Sequence, residues 1–166
     1  MSDNYIVING KRAELTDEQM KVLGIKVDTK RNNPFDRVVN NTYFCITSDN
    51  KTSPHPNNDD GYDQIMCNIV NYFNDEAFAE QVALHQLLYR KLLKFAYDNE
   101  CEDSQVWDTR KAHYLIIYNY YTGEFAVDAT GGYKVNTVHF SSEEAAERAI
   151  RGVVEPFMEE HPQFVW

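Results

Sequence analysis

Asn71-Tyr-Phe-Asn-Asp-Glu-Ala-Phe-Ala-Glu80 and Val138-His-Phe-Ser-Ser-Glu-Glu-Ala-Ala-Glu147 are the two stretches whose likeness decides the fold. Laid over each other they match Phe73 with Phe140, Ala79 with Ala146 and Glu80 with Glu147. Each runs from apolar residues through a polar pair into an acidic, alanine-rich segment, the order in which a strand hands over to a helix. Asn74 and Ser141 have the chemistry of N-caps, and the acidic residues behind them sit where the helix dipole favours negative charge. Ser141 with Glu144 has capping-box spacing, and Phe73 and Phe78 flank the first cap at the spacing of a hydrophobic staple.

Upstream of each junction the same signals recur. The first copy begins with the apolar run Tyr43-Phe-Cys-Ile46, crosses a long polar excursion over 48–61 and enters a strand expected over 65–73. The second begins with His113-Tyr-Leu-Ile-Ile-Tyr118, passes Tyr121-Thr-Gly123, Phe125-Ala-Val127 and the Gly131-Gly132 turn, and ends its last strand at Phe140. The expectation is an α+β fold built from a duplicated three-stranded antiparallel meander plus helix, with copies over about 41–99 and 112–162. The first helix is expected over 75–98, with Phe78, Val82, Leu88, Leu92 and Phe95 as its buried stripe. In the second, Gly152 and Pro156 predict a break and a terminal turn over 157–160.

Residues 1–33 read as a separate strand–turn–helix segment and linker ahead of a 34–166 domain. Tyr5-Ile-Val-Ile8 is a strand, Asn9-Gly10 a turn, and Thr16-Asp-Glu-Gln19 a capping box. Leu15 and Met20 are placed for a staple around it, and Gly24 for a left-handed stop. The polar run over 28–33, ending at Pro34, reads as the linker.

The 166 residues are 43% hydrophobic and 25% charged, an ordinary globular balance. No run approaches the roughly 18 apolar residues of a membrane span, and the first ten residues lack the basic and apolar regions of a secretion signal. The expected location is the cytosol. Cys45, Cys67 and Cys101 are odd in number and without ligand spacing, so reduced thiols are expected. Formal charge is −10. Residues 1–40 hold seven Lys/Arg against six Asp/Glu, whereas 41–166 hold nine against twenty, a balance of −11. Such a surface is a poor partner for naked nucleic acid, which demands cations at phosphates, and a good one for a basic protein.

His55-Pro-Asn-Asn-Asp-Asp-Gly-Tyr-Asp63 is the most site-like stretch, with a histidine and three carboxylates within nine residues. As an EF-hand loop it fails: Gly61 at the sixth position puts Pro56 at the first and Cys67 at the twelfth. It reads instead as a solvated hairpin tip, with a metal-dependent enzyme centred on Asp59, Asp60 and Asp63 as a minor alternative. His85, His113 and His139 have no Glu or Cys at ligand spacing, and Ser141 and Ser142 lack a nucleophile elbow. No catalytic residue, cofactor site or metal site is expected. Arg90, Lys91 and Lys94 make a basic helical face, the basis of an alternative reading as a nucleic-acid accessory module. The expected partner surface is acidic: Asp59, Asp60 and Asp63 in one polar connection, and Asp98, Glu100, Glu102 and Asp103 in another, their carboxylates standing in solvent.

The order Asn33-Pro-Phe-Asp-Arg-Val38, Tyr43-Phe-Cys-Ile46, Asn71-Tyr-Phe73, Arg90-Lys-Leu92, Trp107, Lys111-Ala-His-Tyr114 and Val138-His-Phe140 resembles a group of small phage and prophage proteins of Gram-positive bacteria. The resemblance spans nearly the whole chain and implies a mobile-element origin. Small acidic phage proteins of this kind often resemble host-defence antagonists such as anti-CRISPR proteins. The expected function is therefore non-enzymatic inhibition of a basic host-defence protein, with a CRISPR nuclease as the type of target.

Overall fold

A pair of backbone hydrogen bonds stands at each of the two aligned junctions. In the computed structural model, which describes residues 5–8, 11–14, 16, 19, 22, 33–37, 41–99 and 107–166, the chain forms two compact units, Met1–Asn33 and Pro34–Trp166. In the first unit β1 (Tyr5–Ile8) pairs antiparallel with β2 (Lys11–Glu14), Tyr5 opposite Glu14. The predicted capping box is present: Thr16 N–H donates to Gln19 Oε1 at 2.9 Å, and Gln19 N–H to Thr16 Oγ1 at 3.3 Å. The Asn9-Gly10 turn, Leu15, Met20, Gly24 and the 28–32 linker lie outside the described residues.

The second unit contains β3 (Thr42–Ile46), β4 (Thr52–Pro56), α1 (Gly61–Asn68), α2 (Glu76–Asp98), β5 (His113–Asn119), β6 (Glu124–Thr130), α3 (Glu143–Ala149), a π-helical turn (Ile150–Val154) and α4 (Glu155–Glu160). The α+β class is as expected. The meander is not: β3 pairs with β4 and β5 with β6, and the third segment of each half joins the first strand by a single bridge. Phe44 and Phe73 exchange N–H···O bonds of 2.7 and 2.9 Å, and Tyr114 and Phe140 exchange bonds of 3.0 and 2.7 Å. Both halves therefore order their segments second, first, third. Phe73 and Phe140 are each 1% exposed, and the matched Ala79 and Ala146 are each 0% exposed.

The polar excursion also resolves differently. The chain turns tightly, with Thr47 N–H donating to Lys51 O at 2.8 Å, and Thr52–Pro56 returns as a strand, so His55 and Pro56 belong to a ladder and not to a hairpin tip. Two prolines fit there for a reason visible in the register. Pro54 lies opposite Phe44 and Pro56 opposite Thr42. The backbone groups of Phe44 point away, to Phe73, so the proline sites are those whose missing N–H would have faced outward from an edge strand.

Of the strand expected over 65–73, residues 65–68 are helix instead, the second half of α1. The apolar β-branched run suggested a strand, but Asp60 accepts from Tyr62 N–H (2.9 Å) and Asp63 N–H (3.1 Å), while Asp63 accepts from Asp60 N–H (3.2 Å). That capping box nucleates helix ahead of the run. The later helices are capped one residue beyond the expected positions: Asp75 accepts from Phe78 N–H at 2.9 Å and Ser142 from Ala145 N–H at 3.1 Å. Asn74 is occupied elsewhere, its N–H on Pro34 O and its amide on Asp36 O. The Ser141–Glu144 box and the staple geometry fall with this shift, although the rings of Phe73 and Phe78 still meet at 5.9 Å, with Phe35 against both.

Along α2 the buried residues are Ala79, Ala83, Leu84, Leu88, Leu92 and Ala96. Leu88 and Leu92 are as expected; Phe78 is exposed and Val82 and Phe95 half-buried, because alanines set the inner stripe. The leucines pack on Ile116, Phe140, Ile150, Phe157 and Phe164 in the main core, and a smaller core stacks Tyr43 on Tyr72 at 4.1 Å.

The expected break at Gly152 does not occur. From Glu143 to Glu160 the exposed residues come in pairs every four positions, 143–144, 147–148, 151–152, 155–156 and 159–160. A regular α-helix drifts by about 40° for every four residues, so such a stripe would wind off the core. The π turn absorbs the excess. It also lets Pro156, which has no N–H to give, enter in the first turn of α4.

Phe73→Ala and Phe140→Ala should each destabilise the fold by about 3–5 kcal/mol, the cost of an emptied aromatic site. Urea midpoints measure it, and an unshifted midpoint in either variant would show that its bridge residue anchors nothing.

Candidate protein-docking face

Helix α1 turns much of its apolar surface outward and keeps only Met66 and Cys67 half-buried against the Tyr43–Tyr72 core. Its buried residue is Asp63, 2% exposed, while Tyr62, Ile65 and Ile69 are 46%, 54% and 59% exposed and Val70 beside them is 60% exposed. Positions 62, 65 and 69 are spaced i, i+3 and i+7, so their side chains share one face.

Asp63 is what turns the helix this way. Its Oδ2 accepts from Asn58 N–H (2.8 Å) and Asp60 N–H (3.2 Å). Burial pushes the Asp63 carboxyl up, but the Asp60 N–H, the Tyr43 hydroxyl and the Asn58 N–H outweigh it and hold the group below the usual carboxylate range. Tyr43 is fully buried, and burial, followed by the adjacent Asp63 carboxylate, pushes its hydroxyl far up.

The far end of α1 closes in a Schellman motif. Asn71 N–H donates to Met66 O (2.9 Å) and Val70 N–H to Cys67 O (3.1 Å). That motif needs a left-handed residue, normally glycine, and the residue here is Val70 at φ 56°. A β-branched residue in this region is a true outlier, and such strain collects at functional positions. The Asn71 side chain then ties the helix end to β3, accepting from Ile46 N–H at 2.8 Å and donating to Ile46 O at 2.9 Å.

The acidic residues singled out in the sequence separate. Asp59 and Asp60 are exposed at the start of α1, Asp59 paired with Arg37 at 2.6 Å and Asp60 serving as cap. Asp63, expected in solvent, is an internal lock. Asp98 is exposed and paired with Lys94, and Glu100, Glu102 and Asp103 lie outside the described residues. The basic face is also engaged: Arg90 donates to Asn50, Lys91 lies over the Phe157 ring at 6.0 Å and Lys94 meets Asp98. His113 stacks on Trp107 at 3.7 Å, His139 is buried at its edge, and His85 is exposed. Among the described residues, no three His, Cys, Asp or Glu are grouped to hold a metal ion, and no helix is long and apolar enough to cross a membrane.

Sequence reasoning missed Tyr62, Ile65, Ile69 and Val70. The signal was the Asp60-x-x-Asp63 spacing, which places a helix start directly before them. It also missed the denser acidic surface of α3 and α4, where Glu143, Glu144, Glu147, Glu155, Glu159 and Glu160 are all exposed.

Compared with protein-family models, curated proteins and solved structures, the chain matches none. The resemblance to phage proteins remains a reading of the sequence, and the α1 face has to be understood from its own chemistry.

Two variants test the construction of this face. Since the Asp63 pKa is depressed by folding, its contribution is present above the unfolded carboxyl range and is lost as pH falls through the folded value. Asp63→Asn should therefore be less stable than the parent near neutral pH, and the gap in urea midpoint should close below about pH 4; a gap independent of pH would exclude the charge as its cause. Val70→Gly should stabilise the fold by about 1 kcal/mol through release of left-handed strain, read as a raised melting temperature.

Proposed function

We propose that this chain is a non-enzymatic phage or prophage protein that docks the exposed face of α1 onto a basic host-defence protein and inhibits it, acting in the bacterial cytosol. The observation that carries the reading is a helix that buries an aspartate and leaves Tyr62, Ile65, Ile69 and Val70 in water. Grouped apolar residues with a polar rim are the usual mark of a protein interface, and an aromatic anchor among aliphatic side chains is the usual energetic centre of one. Asp59 and Asp60 rim the face on one side, so the complementary surface is a shallow apolar groove bordered by Lys or Arg. The balance of −11 over 41–166 extends that complementarity beyond the contact and would speed encounter with a cationic partner. Among basic host-defence proteins, a CRISPR nuclease suits both this charge and the resemblance seen in the sequence.

The test is capture and inhibition. Tagged protein is used to bind purified CRISPR nucleases and basic proteins from a host lysate, alongside Ile65→Gln/Ile69→Gln and Asp59→Asn/Asp60→Asn variants of matched melting temperature. The parent should bind and inhibit its target. The isoleucine variant should bind at least about tenfold more weakly, and the aspartate variant should bind with a flatter dependence on salt. Capture that neither variant alters would place the interface elsewhere.

A further inference from the structure

Two hollows adjoin at Arg90, and their walls differ in chemistry. One, of about 450 Å³, is lined mainly by apolar surface, with the rings of His85, Tyr89 and Trp166 and two leucines of α2. The other, of about 430 Å³, is lined by the polar residues Thr47, Ser48, Asn50, Asn71 and Gln86, with the Ile69–Val70 end of the docking face on its apolar side. Gln86 and Arg90 line both. Each is within the range of small-molecule sites.

Both hollows are built before any ligand arrives. Tyr120 donates to Trp166 O at 2.6 Å and the Phe125 ring packs on the Trp166 ring at 4.9 Å, fixing the aromatic wall. Arg90 donates to Asn50, whose amide in turn donates to Ala83 O at 2.8 Å, so the guanidinium is held between the hollows. Among the described residues, no side-chain carboxylate lines either hollow, although residues 41–166 hold twenty Asp/Glu against nine Lys/Arg. Asp49, two residues from Thr47, is turned to Lys51 (3.3 Å) and the Thr47 hydroxyl.

A cation and amide or hydroxyl groups in an acid-free pocket suit a phosphate, and flat rings beside them suit a base. We propose that this double hollow binds a mononucleotide, its phosphate against Arg90 in the polar hollow and its base among His85, Tyr89 and Trp166. A simple aromatic carboxylate would fill one hollow and leave the other empty; the ribose supplies the hydroxylated link between two separated parts. Ile69 and Val70 border both the polar hollow and the docking face, but Arg90 and Trp166 belong to this site alone, so variants there test it separately.

The probes are AMP, adenosine and inorganic phosphate, titrated calorimetrically against the full chain, with tryptophan fluorescence as a second readout. AMP should bind saturably and at least about tenfold more tightly than adenosine or phosphate alone. Arg90→Gln, at an exposed position, should bring AMP to the level of adenosine, and Trp166→Leu should weaken AMP and adenosine by similar factors. Lack of saturable AMP binding at millimolar concentration overturns the proposal, as does AMP binding that Arg90→Gln leaves unchanged. Should a variant fail to fold, the ratio of AMP to adenosine affinity on the parent chain decides it: a ratio near one overturns the phosphate contact.

Discussion

Everything in the larger unit hangs on the exchange of two backbone hydrogen bonds between a phenylalanine and the first strand of its half. Phe73 on Phe44 and Phe140 on Tyr114 are single bridges, too short to count as strands, yet each directs the chain from a hairpin into a helix with a buried ring at the corner. Alternate residues of β3 direct their backbone groups to opposite edges, and the residues turned toward the bridge side, Thr42 and Phe44, are the ones that face the two prolines of β4. The helices start within two residues of the bridges, at Asp75 and Ser142, so the bridges also set which side chains of α2 and α3 meet in the core.

The two halves spend the space between hairpin and bridge differently. In the second, residues 131–139 carry no helix, and the connection ends in the buried pair Val138 and His139. In the first, the connection holds α1, whose inner face combines the internal carboxylate of Asp63 with Met66 and Cys67 packed on the Tyr43–Tyr72 core. That apolar footing is small. The helix is held besides by a capping box at one end and by the Asn71 amide at the other, polar devices that leave Tyr62, Ile65 and Ile69 facing outward. Stability and recognition are here divided between opposite faces of an eight-residue element.

Much of this was legible. The α+β class, the Thr16–Gln19 box, the extent of α2 and the repeat of strand order all follow from local chemistry: caps, periodicity and apolar runs. What was not legible depended on competition between local signals. Residues 65–73 have strand-like composition, and only the weight of the Asp60 cap against that composition decides for helix over 65–68. Asp63 looked like a solvated loop charge because nothing in its neighbourhood announces that it folds in beside the buried Tyr43, twenty residues upstream. The third strands shrank to bridges because the partner edge they needed is chosen by tertiary packing, on which periodicity is silent.

The π turn in the C-terminal helix has a consequence for how this part of the chain tolerates change in length. A widened turn holds one residue more than the α-helix that surrounds it, so it acts as a counter as well as a bend. Removing a single residue from Ile150–Val154 would let the turn close to ordinary α-helix with the residues beyond it still in phase, so that Phe157, 1% exposed, would keep its place in the leucine core. The same deletion in a regular α-helix would rotate all that follows by about 100° about the helix axis. The chain can therefore shorten by one residue inside the turn at far less cost than on either side of it.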